Sequence, residues 1–268
     1  MAGTIRSGIG GWTFEPWRGV FYPAGLKQAD ELAYAAARLS AIEINATYYS
    51  SQKPESFAKW AAATPQGFVF SLKASRFCTN RRVLAEAGPS IEKFLNQGIV
   101  ELGEKLGPIV WQFMGAKRFD PDDFAAFLKL LPASHQGLAL RHVMEVRHDS
   151  FVDPAFVALC RAHGVAICLA HHETFPQIAD VTSDFVYARL MGGADDIETC
   201  YPPAEIDAWV ERLKLYAQGG RPAELRAADP AADAPSAPRD VFAFFISEGK
   251  VRAPAGAMAL IERCAQAL

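Results

Sequence analysis

The sequence predicts an α/β fold of the TIM (β/α)8-barrel class with a weak or missing sixth helix. Three observations carry that prediction. Short apolar runs alternate with helical patterns along the whole chain, the signature of a parallel α/β architecture. About eight such runs fall within 268 residues, a length at which (β/α)8 barrels form one unit rather than two. Most of the runs end in a charged or amide residue: Ile42-Glu43-Ile44-Asn45, Phe68-Val69-Phe70-Ser71-Leu72-Lys73, Ile109-Val110-Trp111-Gln112, Met144-Glu145-Val146-Arg147 and Phe185-Val186-Tyr187-Ala188-Arg189. A strand buried on both faces does not carry such an end without partners, because an unpaired buried charge is costly. Ends converging on the carboxyl face of a barrel would satisfy one another and form a polar pocket.

Taken in order, the expected strands are 4–10, 41–44, 68–73, 109–113, 140–146, 165–170, 185–189 and 241–246. Their short length and apolar content favour buried parallel strands. The helical patterns between them are 26–39, 54–63, 89–106, 121–131, 154–163, 203–218 and 255–268. Several of these open on proline, which the first helical turn accepts because its missing N–H has no partner there anyway. The stretch Glu173–Asp184 is too short for a full helix, so the sixth unit is the weak one. The whole chain, residues 1–268, reads as a single domain. The Ala/Pro/Asp-rich stretch 219–240 precedes the last strand and is expected to be a mobile loop on the face opposite the pocket.

Composition excludes several classes. Half of the residues are hydrophobic and the formal net charge is −3, so no bulk field draws nucleic acid or an anionic membrane. The five cysteines (Cys78, Cys160, Cys168, Cys200 and Cys264) show no Cys-x-x-Cys spacing, which argues against a disulfide framework or a structural zinc site. Cys78, in a basic stretch, is the one to test for reactivity. No secretory pattern opens the chain and no apolar run reaches the ~20 residues of a membrane helix. A cytoplasmic location without membrane contact is expected, and nothing in the sequence sets an oligomeric state. Gly8-Ile9-Gly10-Gly11-Trp12 is not the dinucleotide fingerprint, and neither a P-loop nor a Gly-x-Ser-x-Gly elbow occurs.

Alternation puts Glu43 with Asn45, Ser71 with Lys73, Glu145 with Arg147 and Tyr187 with Arg189, all facing the barrel interior or its mouth. In the functional reading Lys73, Arg147 and Arg189 face an anionic group, as Lys and Arg suit phosphate and carboxylate. Glu43 and Glu145 are then the acid/base candidates, and Glu248 could complete a glycosidase-like pair. The competing reading is an internal salt-bridge network that only neutralises the mouth. Trp12 and Tyr48 are the candidate aromatic ligand contacts, with Trp17, Phe21 and Tyr22 expected to staple the first loop. His171-His172-Glu173 could gather a divalent metal with Glu145 and His148, although neighbours on an extended strand point opposite ways. No cofactor is expected. Arg76, Arg81 and Arg82 form a basic stretch that suits a phosphate-bearing polymer.

These residues also carry a resemblance. The chain resembles the domain-of-unknown-function 72 (YecE-like) family in Gly10-Gly11-Trp12 with Trp17-Arg18-Gly19 and Phe21-Tyr22-Pro23, in Glu43-Ile44-Asn45-Ala46-Thr47-Tyr48-Tyr49, and in Phe68 to Ala74. Leu106-Gly107-Pro108 leading into Gln112, Glu145-Val146-Arg147-His148 and Phe185 to Leu190 continue it in order. The resemblance implies a TIM barrel whose activity is not established. By analogy of fold it also suggests endonuclease IV and sugar-isomerase barrels, and fold does not fix function. The chain departs from the family pattern after the last strand, where an Asn-Asn or Asn-Asp pair is replaced by Ser247-Glu248. The following His-Ala-Pro-x-Asn-Ala pattern becomes Arg252-Ala253-Pro254-Ala255-Gly256-Ala257, and an acidic-Ser segment becomes His171-His172-Glu173. These departures imply an altered ligand or activity. The expectation is an enzyme, a hydrolase or isomerase, acting on a small phosphorylated or carboxylated sugar-like ligand held by Trp12, Asn45, Tyr48, Lys73, Gln112, Arg147 and Arg189. Nucleic-acid binding with endonuclease-like hydrolysis is one alternative, and a non-catalytic binding protein is another.

Overall fold

Eight strands, all parallel, close into a barrel in chain order: β1 (Ile5–Gly10), β2 (Ala41–Ile44), β3 (Val69–Lys73), β4 (Leu106–Gln112), β5 (His142–Glu145), β6 (Ala166–His171), β7 (Phe185–Gly192) and β8 (Asp240–Glu248). The computed structural model describes residues 2–231 and 236–266. Among the described residues no helix is long and apolar enough to cross a membrane.

Side-chain alternation divides the core in two. Val69, Val110, Val143, Cys168, Tyr187 and Phe244 fill the barrel interior. The opposite face of each strand, such as Ile42, Leu72 and Trp111, packs against the helices. Closure needs β1 and β2 to approach closely, and Gly8 permits it: a Cβ there would stand 1.8 Å from the carbonyl oxygen of Ala41. Gly8→Ala is therefore expected to force the two strands apart and cost about 1–3 kcal/mol, read as a lower urea midpoint. The amino-terminal end is sealed by charge over apolar rings. Arg6 pairs with Asp240 at 3.2 Å, and the Arg141 guanidinium lies 5.0 Å from the Phe242 ring centre.

The helices follow the apolar stripes, but several are shorter than expected. The pattern over 26–39 yields a 3-10 turn (Gln28–Asp30) and then α1 (Glu31–Ala36). Glu31 is fully buried there and accepts from Arg18 at 2.8 Å, which ties the helix to the first loop. α2 (Ala46–Tyr49), α3 (Pro54–Ala62) and α4 (Arg76–Thr79) follow. The expected helix over 89–106 is broken into α5 (Gly88–Leu95) and a 3-10 segment, Ile99–Lys105. Gly98 makes the break with φ +102, in a place where a Cβ would meet Pro54 at 2.6 Å. α6 (Pro121–Lys129) and α7 (Pro154–Ala162) begin where Asp120 and Asp153 accept backbone N–H bonds from the first turn. α8 (Pro203–Ala217) and α9 (Ala253–Gln266) complete the outer layer. The Gln136-Gly137 turn, positive in φ at both residues, closes a small hairpin of Ser134–His135 with Leu138–Ala139 that the periodicity did not indicate.

No helix lies between β6 and β7, in line with the weak sixth unit. That connection is irregular yet buried, so its backbone needs partners. Thr182 Oγ1 donates to Val165 O at 2.6 Å, and Asp180 accepts from the N–H groups of Ala228 and Asp229. The stretch expected to be a mobile loop, 219–240, is therefore held in its first half. Leu225 and Ala228 are buried, and Arg226 O accepts from Ala179 N at 2.9 Å. Residues 232–235 of that stretch lie outside the described residues.

Candidate functional site

The charged strand ends meet on the carboxyl side of the barrel, as alternation requires. Arg189, at the end of the inward-facing row of β7, is 2% exposed and bridges two carboxylates. Its Nη2 donates to Glu43 Oε1 at 3.0 Å and its Nη1 to Glu145 Oε2. Glu145 Oε1 accepts from Arg147 Nε at 2.8 Å, and Arg147 Nη2 also donates to Gln112 Oε1 at 2.8 Å. The second oxygen of Glu43 accepts from the Tyr187 hydroxyl at 2.7 Å. Ser71 Oγ stands 2.8 Å from both Tyr187 Oη and Pro108 O, and its single proton serves one of them at a time.

The electrostatics follow from that wiring. Burial alone would push the Glu145 carboxyl up, but Arg189 first, then Arg147 and Lys73, override it and hold it below its ordinary value. Burial would likewise lower the Arg189 guanidinium, and Glu145 and Glu43 more than offset that, so it stays charged. Burial raises the Tyr187 phenol well above its usual range, which keeps it a donor.

Above this layer opens a cavity of about 480 Å³. Among the described residues its charged lining is Lys73, Arg147, Arg189 and Lys250, with no Asp or Glu. Glu43 and Glu145 lie beneath, spent on Arg189. Lys73, like Lys250, is left without a counter-charge: among the described residues its Nζ has no hydrogen bond or ion pair, and it sits 4.3 Å from the Tyr48 ring centre. Burial, and then Arg189, lower its pKa to about 8.

The aromatic first loop divides between buried and cavity-lining rings. Trp17 and Tyr22 are 1% exposed, and the Tyr22 hydroxyl donates to Trp12 O. Trp17 Nε1 donates to Lys250 O at 2.7 Å, joining the first loop to the last. Trp12 lines the cavity, edge-on to Trp60 with ring centres 5.2 Å apart. Asn45 and Tyr49 also line it, while Tyr48 and Gln112, expected as ligand contacts, stand outside the lining and touch Lys73 and Arg147 instead.

Four other groups stand elsewhere. His171 faces outward, with Nδ1 3.0 Å from the Tyr201 hydroxyl and Nε2 3.5 Å from Glu205. His172 stacks on Phe175, whose ring covers the Arg147 guanidinium at 4.4 Å. The possible gathering of His171, His172 and Glu173 with Glu145 and His148 does not form, because neighbouring strand residues diverge and Glu145 is taken by two arginines. Among the described residues no group of three His, Cys, Asp or Glu side chains could hold a metal ion. Cys78 is buried and its thiol is pushed up to about 12, mainly by burial, so the basic stretch does not activate it. Arg81 is tied into its own loop, donating to Phe77 O, Glu86 O and Ser90 Oγ. Glu248 is exposed at the end of β8, outside the lining.

The sequence did not single out Lys250, and it marked Ser247 only as a departure from the family pattern. Both follow β8, and the connectivity rule that placed the other loops on this face would have found them. Ser247 adopts φ +73 without being glycine. Ser247→Gly is expected to stabilise the chain by about 0.5–1 kcal/mol, measured by thermal unfolding.

A parallel eight-stranded barrel with a cation-lined mouth at its carboxyl ends defines this as a protein of the TIM-barrel class. The sequence model of the family described as "Protein of unknown function DUF72" matches residues 6–268, and the chain belongs to that family. The fold is similar to that of a DUF72 family protein from Thermotoga maritima, at 21% identity and a TM-score of 0.71, with 99% of this chain and 100% of that one covered. A DUF72 family protein from Enterococcus faecalis is similar at 16% identity and a TM-score of 0.69, covering 98% of this chain and 96% of the other. No curated protein matches.

Proposed function

We propose that the barrel mouth binds a small anionic, sugar-like ligand through a phosphate or carboxylate group, and that the protein is an enzyme acting on it. The observation that carries this reading is the lining of four cationic side chains without a carboxylate, in a chain whose net charge is negative. The cavity volume of about 480 Å³ suits a small molecule. Lys73, Arg147 and Lys250 present the charge, while Trp12 and Tyr49 offer ring faces and edges to a sugar. Asn45 supplies an amide at the rim.

The pair named first as acid and base takes a different part. Glu43 and Glu145 hold Arg189 and Arg147 in place below the cavity, and by occupying Arg189 they leave Lys73 free. They are positioning residues in this reading, as are Tyr48 and Gln112.

Calorimetry with sulfate and with glucose 6-phosphate tests the proposal. Arg147→Ala is expected to weaken both at least tenfold. Sulfate keeps its charge across the range, so pH reports on the protein: affinity should fall as pH rises through about 8, where Lys73 loses its proton. Affinity that is flat from pH 7 to 9.5, or undetectable throughout, would remove the reading. Nucleic-acid binding predicts instead a steep loss of affinity for an oligonucleotide with salt.

A further inference from the structure

The same geometry gives Lys73 a second capability. We infer that its amine is a nucleophile that condenses with the carbonyl group of an anionic aldehyde or ketone seated in the barrel mouth, forming an imine. This rests on the anion-binding reading and deepens it by naming the substrate class: 2-oxo acids and phosphorylated aldoses or ketoses.

Four features of the site support it. Lys73 ends β3 on the inward-facing side, so its Nζ reaches the cavity from a rigid strand rather than from a loop. The carboxylates nearest by topology are turned away to Arg189, at 3.0 Å for Glu43, and neither lies within ion-pairing distance of Nζ. A lysine paired with a carboxylate is held as an ammonium; among the described residues this one has no carboxylate within ion-pairing distance. Lys73 is 8% exposed, so desolvation first and then repulsion from Arg189 favour the neutral amine, and together they outweigh the opposing pull of Glu43 and Glu145. Meanwhile Arg147 and Lys250 line the same cavity and remain to grip the phosphate or carboxylate of the molecule whose carbonyl meets Nζ. Charge recognition and nucleophile are thus separate groups in one chamber.

The step balances without an oxidant or reductant. The amine lone pair forms the C–N bond while the carbonyl π pair moves to oxygen, which takes up a proton. The carbinolamine then loses that oxygen as water, the departing hydroxyl taking the nitrogen-bound hydrogen through solvent. Aldehyde or ketone plus amine gives imine plus water. Protonated, the imine can accept electrons from the adjacent carbon, so bond cleavage or proton loss at that carbon is the class of chemistry it would serve.

Trapping tests the inference on the full chain. The protein is incubated at pH 8 with pyruvate, glyoxylate, dihydroxyacetone phosphate or pyridoxal phosphate, each with cyanoborohydride, which supplies the hydride that fixes an imine as a secondary amine. The expected result is one predominant adduct with at least one probe, mapped to Lys73 by peptide mass spectrometry and suppressed by sulfate. Lys73→Arg should lose that adduct while keeping the parent's far-UV circular dichroism and cooperative urea unfolding, which shows that the variant folds and that the amine is what was lost. Labelling spread equally over exposed lysines, or no adduct with any probe in a protein that binds sulfate, would overturn the nucleophile and leave the anion reading standing. Absent sulfate binding with an adduct still confined to Lys73 would do the reverse.

Discussion

Replacing Arg189 by alanine should destabilise the barrel by about 3–5 kcal/mol, a large share of the roughly 5–15 kcal/mol available to a domain. The loss comes from what remains behind. Glu43 and Glu145 are 0% and 1% exposed, and without Arg189 two carboxylates of like charge stay buried on one side of a closed sheet. Tyr187 still donates to Glu43 and Arg147 to Glu145, so each keeps one partner and neither keeps enough. The pH dependence gives the diagnostic sign. In the parent chain the Glu145 carboxyl is held below its ordinary value of 4.5, so it contributes stability above that value, lost as pH falls through the lower folded one. In Arg189→Ala burial dominates and the sign reverses: the variant should gain stability between pH 7 and 5 as the Glu145 carboxyl takes up a proton. Urea midpoints at pH 5 and 7 decide it. Adding Glu43→Gln and Glu145→Gln to the variant should recover much of the loss, as neutral amides need no counter-charge. A variant as stable as its parent would mean that the network does not hold the mouth together.

Lys73→Met should do the opposite to stability while removing binding. The folded amine titrates near 8 against 10.5 in the open, a shift equivalent to about 3 kcal/mol at neutral pH. Since the folded pKa is the lower one, the cost of burying the charge is present in full below pH 8 and fades as pH rises to 10.5. Methionine fills the same space without charge, so the variant should be more stable by about 2–3 kcal/mol at pH 7, or roughly 4–10 °C in Tm for a chain of this size. That gain should vanish near pH 10.5. Sulfate affinity should fall at least tenfold in the same variant. A stability gain that accompanies loss of binding is the mark of a residue kept for function. A Met variant less stable than its parent at pH 7 would show that Lys73 is held by partners after all.

The meeting of charged strand ends at one rim was legible in the sequence, because periodicity and charge are local properties. A run such as Phe68–Lys73 can end in lysine only where strand ends meet solvent or partners, and alternation put Glu43, Glu145 and Arg189 on the inner face. Proline openings marked α3, α6, α7 and α8, and the short stretch after β6 announced the missing sixth helix. Other features were less visible. The break at Gly98 depends on Pro54 lying against it, and the Gln136-Gly137 hairpin is too short for any period to register.

Residue types and strand periodicity thus determined by themselves that this chain closes into a barrel and that charge collects at one rim. Tertiary structure alone decided which charges neutralise one another. Glu43 and Arg189 are 146 residues apart and Glu145 and Arg189 are 44 apart, so their pairing is set by the stagger of a closed sheet. That stagger gives both carboxylates to Arg189 and leaves Lys73 a cation without a counter-charge. The physical reason is that Coulomb energy and desolvation depend on distances of a few ångströms across the barrel, which sequence order does not contain.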